Sequence, residues 1–274
     1  MEILYYYCKF STFQSMLHTK TLWLTDLTKS NDAEEVNRAY CDLWGRIKRN
    51  LEKTDLSKEV LSSQIEMLDS TFAIQSYTDV PFGCCFCAEN DLVQQWNEYG
   101  DHGGGVAVGF DLSKIHGLRK QLPITSALIA QSLGYERVIY DSRVLEDQMT
   151  ALIYKSIKEK NYHAWILEIL PTFKHYASFI KNPTFKDEKE TRIVFFPNDR
   201  FEDTLPNLSR LESNVMEHYS LGWSHEGVSA LKSITVGFNC TVPDSKINEM
   251  LKNAGLGAEI KLFHSQCSYR DRQH

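Results

Sequence analysis

The sequence predicts an α+β fold built on a mixed, mainly antiparallel sheet flanked by helices, and three observations carry that expectation. Short β-prone runs are scattered along the whole chain, amphipathic helical stretches lie between them at irregular intervals, and the regular strand-helix alternation of a doubly wound fold is missing. No internal repeat or low-complexity linker divides the 274 residues, so a single domain over 1–274 is expected, with a helical subregion at about 143–181.

The chain opens strand, helix, strand. Ile3–Tyr7 and Thr21–Thr25 are short, aromatic and β-prone, and Ser11–His18 between them suits a short helix. After Ser30-Asn31-Asp32, residue types that cap helices, apolar residues from Val36 to Leu51 recur at the i, i+4, i+7 spacing of one helix face. A second helix is expected from Leu56 to Phe72, with Val60, Leu61, Ile65 and Leu68 turned inward.

Phe82–Ala88 reads as a buried strand, and Asn90 as the cap of a short helix carrying Leu92, Trp96 and Tyr99 into the core. Gly103-Gly104-Gly105 leads into the apolar strand Val106–Phe110. It precedes a strand and lacks Gly-Lys-Ser, so it reads as a tight turn ahead of a ligand loop. Tyr135–Tyr140 is the next strand. A helical block follows over Arg143–Lys181 with a break expected at Pro171, and strands at Thr191–Phe196, Lys232–Phe238 and Glu259–Phe263 frame a helix over Lys246–Asn253.

Composition excludes several classes. A formal charge of −6 gives no general pull toward phosphate backbones, so bulk nucleic-acid binding is not expected. No apolar run approaches a membrane span and no secretion signal opens the chain, which predicts a cytoplasmic protein without membrane contact. Seven cysteines, three of them in Cys84-Cys85-Phe86-Cys87, fit reduced thiols rather than a disulfide framework. The nine histidines form no His-Glu-x-x-His, and no metal site is expected; His102, beside the glycines, is the histidine expected nearest a cleft.

The most informative chemistry sits in Lys186–Arg192. On an extended strand Glu188, Glu190 and Arg192 would project from one face, a carboxylate pair beside a guanidinium that stays ionised and can steady a cation or orient a hydroxyl. An exposed edge strand whose charges discourage aggregation explains the same letters, and spacing alone leans that way. Asn31 and Asp32 can likewise be pocket groups or a helix cap, and Tyr5-Tyr6-Tyr7 an aromatic stack or plain strand packing; the structural reading of each is favoured.

Several blocks together resemble the bacterial family DUF2971: Leu4–Tyr7, Leu22-Trp23-Leu24 followed by Asn31–Glu34, Cys85-Phe86-Cys87 with Trp96 and Tyr99, Gly105–Asp111, Lys186–Arg192 and Ile234–Gly237. That arrangement is in turn similar to the ADP-ribosyltransferases, which bind NAD in the cleft of a split sheet. The resemblance implies a split sheet here, NAD as co-substrate, and a nucleotide and a macromolecular acceptor as partners. It implies Glu190 as the catalytic glutamate, with Glu188 orienting the acceptor and Arg192 in support. Tyr6, Tyr7, Trp23, Asn31 and Asp32 become the residues expected to hold the cofactor. Tyr6 stands where such transferases offer a His or Arg. The expected function is that of a transferase or NAD-cleaving effector in a toxin or phage-defence setting. The alternatives are an inactive nucleotide-binding or protein-interaction module, and a nuclease using Glu188, Glu190 and Asp32 around magnesium.

Overall fold

A computed structural model describes residues 2–29, 35–78, 80–122, 132–161, 163–197, 207–211, 218–257 and 259–267. The chain is α+β. Strand β1 (Leu4–Cys8), helix α1 (Phe10–Thr19) and strand β2 (Thr21–Asp26) open it in the expected order. Helices α2 (Glu35–Leu51) and α3 (Lys58–Thr78) follow, then β3 (Phe82–Cys87), the short α4 (Val93–Glu98), β4 (Val106–Phe110) and β5 (Ser132–Arg137). Helices α5 (Arg143–Lys158) and α6 (Leu170–Ala177) lead through a 3-10 segment, Pro183–Glu188, to β6 (Glu190–Phe196). Strands β7 (Leu208–Leu211), β8 (His218–Gly222), the hairpin β9 (Ser224–His225) and β10 (Val228–Ser229), β11 (Leu231–Val236), helix α7 (Asp244–Asn253) and β12 (Lys261–His264) complete it.

Ten strands form one sheet, in the order β12-β11-β4-β1-β3-β2-β8-β7, with β6 and then β5 branching from β3. Among the described strands only β12 runs parallel to its neighbour, after the α7 crossover; the other strand pairings are antiparallel, and isolated parallel bridges join Arg119 to Gly134 and Ile139 to Ile180. The branch creates a split. On one edge β3 pairs with β6 along its whole length, from Phe82↔Phe195 to Cys87↔Glu190. Its other edge is shared: β2 takes Phe82 and Gly83, β1 takes Cys87, and β1 and β2 diverge over Cys84-Cys85-Phe86.

Alternation along the strands sorts side chains to two faces. On one face Leu4, Leu22, Leu24, Cys84, Phe86, Ile193 and Phe195 join Phe13, Met16 and Leu17 of α1 and Ile247 and Leu251 of α7 in a single core. Each Leu- or Phe-sized side chain so buried stabilises the fold by about 1.5–3 kcal/mol. The other face is covered in two patches. Helices α2, α3, α5 and α6 pack over Val194 and Phe196, and α4 sets Trp96 over Tyr7, Cys87 and Ala107. The stretch between the patches carries Cys85, Glu190 and Arg192.

Glycine permits the closest approach in the fold. A Cβ on Gly105 would stand 2.1 Å from the Cys8 carbonyl oxygen, and Gly103 has φ +82°. The glycine run is a turn that lets β4 meet β1, as its position before a strand predicts.

Several expectations need correction. Strand β6 is not a charged edge strand: it lies between β3 and β5, and all of its residues are buried. Its charges survive burial because they pair with one another and with Lys181. Glu188 is not on the strand at all; it ends the 3-10 segment, and Lys189 adopts a left-handed φ of 48° that turns the chain into β6. The helical block breaks at Lys160, φ 52°, rather than at Pro171. Pro171 sits just after a π turn at Trp165–Ile169, where the Leu170 N–H reaches the Trp165 carbonyl and the widened ladder accommodates the missing proline N–H. Val60 faces out at 46% exposure, whereas Leu61 and Leu68 are buried. The cap position of helix α4 is Leu92, which has no side-chain acceptor, and not Asn90, whose amide donates to Thr235 Oγ1 at 3.2 Å. Strands β7 to β10 have no counterpart among the expected elements.

Candidate functional site

Where the sheet splits, a cleft of about 590 Å³ opens. Its floor is β3, with Gly83 to Phe86, and one side is β1 with Tyr6 and Tyr7. Strand β2 contributes Trp23 and Thr25, which point away from the core filled by Leu22 and Leu24. Strand β6 brings Glu190 and Arg192, the 3-10 segment brings Phe185 and Glu188, and α4 lays Gln94, Gln95, Glu98 and Tyr99 along the rim. Glu188, Glu190, Arg192, Tyr6, Tyr7 and Trp23, scattered over nearly two hundred residues of sequence, thus share one wall-and-floor arrangement. Asn31 and Asp32 lie outside the described residues. His102 is exposed and lies outside the cleft lining.

At the base of the cleft four charged groups are buried together. Lys181 Nζ donates to Glu188 Oε2 at 2.7 Å and to Glu190 Oε2 at 2.9 Å. Arg192 Nε donates to the other oxygen of Glu190 at 2.8 Å, and its Nη1 to the Ser178 carbonyl at 2.8 Å. Lys181 is placed by the backbone: its N–H bonds the Ile139 carbonyl at 3.1 Å, and the Ile139 N–H bonds the Phe179 carbonyl at 2.7 Å. The Glu190 N–H donates to the Tyr140 hydroxyl at 3.2 Å, which fixes where the strand begins.

Burial alone would push the Glu190 carboxyl up. The Arg192 guanidinium and the Lys181 ammonium outweigh it and bring the group down to about 2, so Glu190 is a carboxylate at any physiological pH. Such a group can hold a developing positive charge or accept from a hydroxyl, and it is a poor proton donor. The surrounding weak acids move the opposite way. Burial, then the Glu188 charge, pushes the Tyr99 phenol up to about 12. Burial raises the Tyr6 phenol as well, so both tyrosines stay neutral donors. Cys85 opens into the cleft from its floor and hydrogen-bonds Glu190; its desolvated position and the nearby carboxylate hold its thiol well above the ordinary value.

The aromatic side chains divide by role. Tyr7 is structural: its hydroxyl donates to the Glu89 carbonyl at 2.9 Å and accepts from the Leu92 N–H at 3.0 Å, pinning the loop into α4. Trp23 is 53% exposed, with its ring 4.3 Å from the buried His218 ring. Tyr99, expected in the core, is 41% exposed and faces the cleft.

Lys181, Cys85, Glu98 and Tyr99 were not among the sequence candidates. A lysine at the end of a helical run carries no local signal, whereas Tyr99 could have been found from α4 itself, since Trp96 already fills the buried side of so short a helix. Among the described residues no three His, Cys, Asp or Glu side chains gather as a metal site, and no helix is long and apolar enough to cross a membrane. The Lys181 ammonium bridges Glu188 and Glu190, two of the three carboxylates of the nuclease alternative, and the third, Asp32, lies outside the described residues.

No curated protein matches the chain, and no solved structure does. A family model described as "Protein of unknown function (DUF2971)" matches residues 95–193, the segment from α4 to β6 that supplies Glu98, Tyr99, Lys181, Phe185, Glu188, Glu190 and Arg192 to the cleft. The match takes in Trp96, Tyr99, Gly105–Asp111 and Lys186–Arg192 among the blocks read from the sequence, and leaves Leu4–Tyr7, Leu22–Glu34, Cys85–Cys87 and Ile234–Gly237 outside it.

Proposed function

We propose that the cleft binds NAD and that the protein cleaves the bond between nicotinamide and ribose, passing the ADP-ribosyl group to an acceptor or to water. The observation that carries this reading is the convergence of Glu190, Tyr6 and Trp23 on one cleft at the split of the sheet. A splayed arrangement would have left no shared site.

In this reading the C–N bond breaks with its electron pair going to the ring nitrogen, so nicotinamide leaves neutral. The ribose is left with oxocarbenium character, which an ionised Glu190 stabilises by charge and by accepting from a ribose hydroxyl. An acceptor O–H then forms the new C–O bond and gives up its proton toward Glu188. The Arg192 and Lys181 contacts hold the Glu190 carboxylate in one orientation before substrate arrives. A toxin or phage-defence setting belongs to the same proposal.

One feature favours a second reading, a module that binds nucleotide without turning it over. Both Glu190 oxygens already accept from buried cations, and the position where transferases offer a charged residue holds a neutral, half-buried Tyr6 whose ring packs against Phe86. Calorimetry with NAD, alongside chromatography of the same samples for nicotinamide, separates the two. Binding with release supports the enzyme, binding without release supports the module, and no binding at all overturns both.

A further inference from the structure

We infer that the cleft selects its ligand by the positive charge of a planar ring, an N-substituted pyridinium, and takes little of its affinity from a diphosphate. The inference rests on the proposed NAD site and says which part of the ligand that site reads.

Two observations lead to it. First, the cations among the described lining residues, Lys181 and Arg192, are buried and already engaged by Glu188 and Glu190. A diphosphate entering the cleft would have to displace a carboxylate from one of them. Glu98 adds a third carboxylate at the rim and makes no ion pair among the described residues, so the lining holds more negative than positive charge. Second, Trp23 and Tyr99 are 53% and 41% exposed, where aromatic side chains of that size are usually covered. Open ring faces beside carboxylates attract a flat cation through the ring quadrupole and through simple charge, and do so much less for a neutral ring of the same shape. An N-ribosyl pyridinium satisfies both features. It also loses its charge when its glycosidic bond breaks, so the same contacts would release the product.

The test uses the full chain and three probes in calorimetric titrations at low and high salt: 1-methylnicotinamide, which is cationic; nicotinamide, its neutral counterpart; and ADP-ribose, which carries the diphosphate without the ring. The expected result is that 1-methylnicotinamide binds about tenfold or more tightly than nicotinamide and that ADP-ribose does not compete with it. Trp23→Leu and Glu98→Gln, both at exposed positions, should each weaken the cation several-fold and the neutral nicotinamide by a smaller factor. Equal affinities for the charged and neutral rings, or tighter binding of ADP-ribose than of either, would overturn the inference. NAD cleavage without ring-charge discrimination sinks this inference and leaves the proposed activity standing; discrimination without cleavage does the reverse.

Discussion

Lys181 and Glu190 stand nine residues apart on opposite sides of a 3-10 segment, yet the ammonium of the first lies 2.9 Å from a carboxylate oxygen of the second, both less than a tenth exposed. The contact ties the end of the helical block to the start of β6 and sets the charge state of the cleft base.

Removing that ammonium should be costly. Lys181→Met leaves Glu188 and Glu190 buried side by side with only Arg192 to compensate. A loss of about 3–5 kcal/mol at pH 7 is expected. The deficit should shrink near pH 5, where the variant's Glu190 carboxyl, no longer held down by Lys181, takes up a proton more readily. Urea unfolding at the two pH values measures this, and an equal deficit at both would contradict it.

Glu190 should also leave a mark on acid stability. Its folded pKa of about 2 lies below the ordinary 4.5, so the stability it contributes is fully present above the unfolded value and is lost as pH falls from about 4.5 to about 2. The stability difference between the wild type and Glu190→Gln should therefore be largest above pH 5 and narrow steadily through that window. A difference independent of pH would show that the carboxylate is not held ionised.

Tyr7→Phe removes one hydroxyl that serves two backbone groups, the Glu89 carbonyl and the Leu92 N–H. The Leu92 amide is left unpaired at a cost of about 1–3 kcal/mol, and because that amide starts α4, the loosening falls on the wall bearing Glu98 and Tyr99. Hydrogen exchange should quicken over residues 89–99 and stay unchanged in α7. Uniform protection in both would place the role of Tyr7 elsewhere.

Cys85 offers a chemical probe of the cleft. It is open to a small reagent, but its raised thiol pKa keeps the thiolate scarce. Iodoacetamide at pH 7.5 should label exposed Cys41 before Cys85, and a ligand filling the cleft should protect Cys85 alone. Peptide mass mapping reads both sites, and Cys85 reacting first would contradict the electrostatics described for the cleft floor.

Much of the fold is legible in the sequence because its signals are local. The aromatic runs of β1 and β2 and the 3.6-residue spacing around Leu43, Ile47 and Leu51 are visible without tertiary context. So is the turn of Gly103 to Gly105. The cleft is legible only in part. Glu190, Arg192, Tyr6 and Trp23 stand out as charges or aromatics on strands, but β6 reads as an edge because its charges look unpaired until Lys181 is brought in from nine residues away. Glu188 reads as a strand residue because the left-handed turn at Lys189 uses no glycine and so leaves no trace. The Pro171 expectation fails because a π turn absorbs the proline.

The proposed role of the Glu190 carboxylate in the chemistry of this cleft is read most directly from the rate of nicotinamide release from NAD by folded Glu190→Gln, compared with wild type at pH 7.5. A fall of about 100-fold or more is expected in a protein whose circular dichroism and NAD binding persist. Release at the wild-type rate from that variant would contradict it.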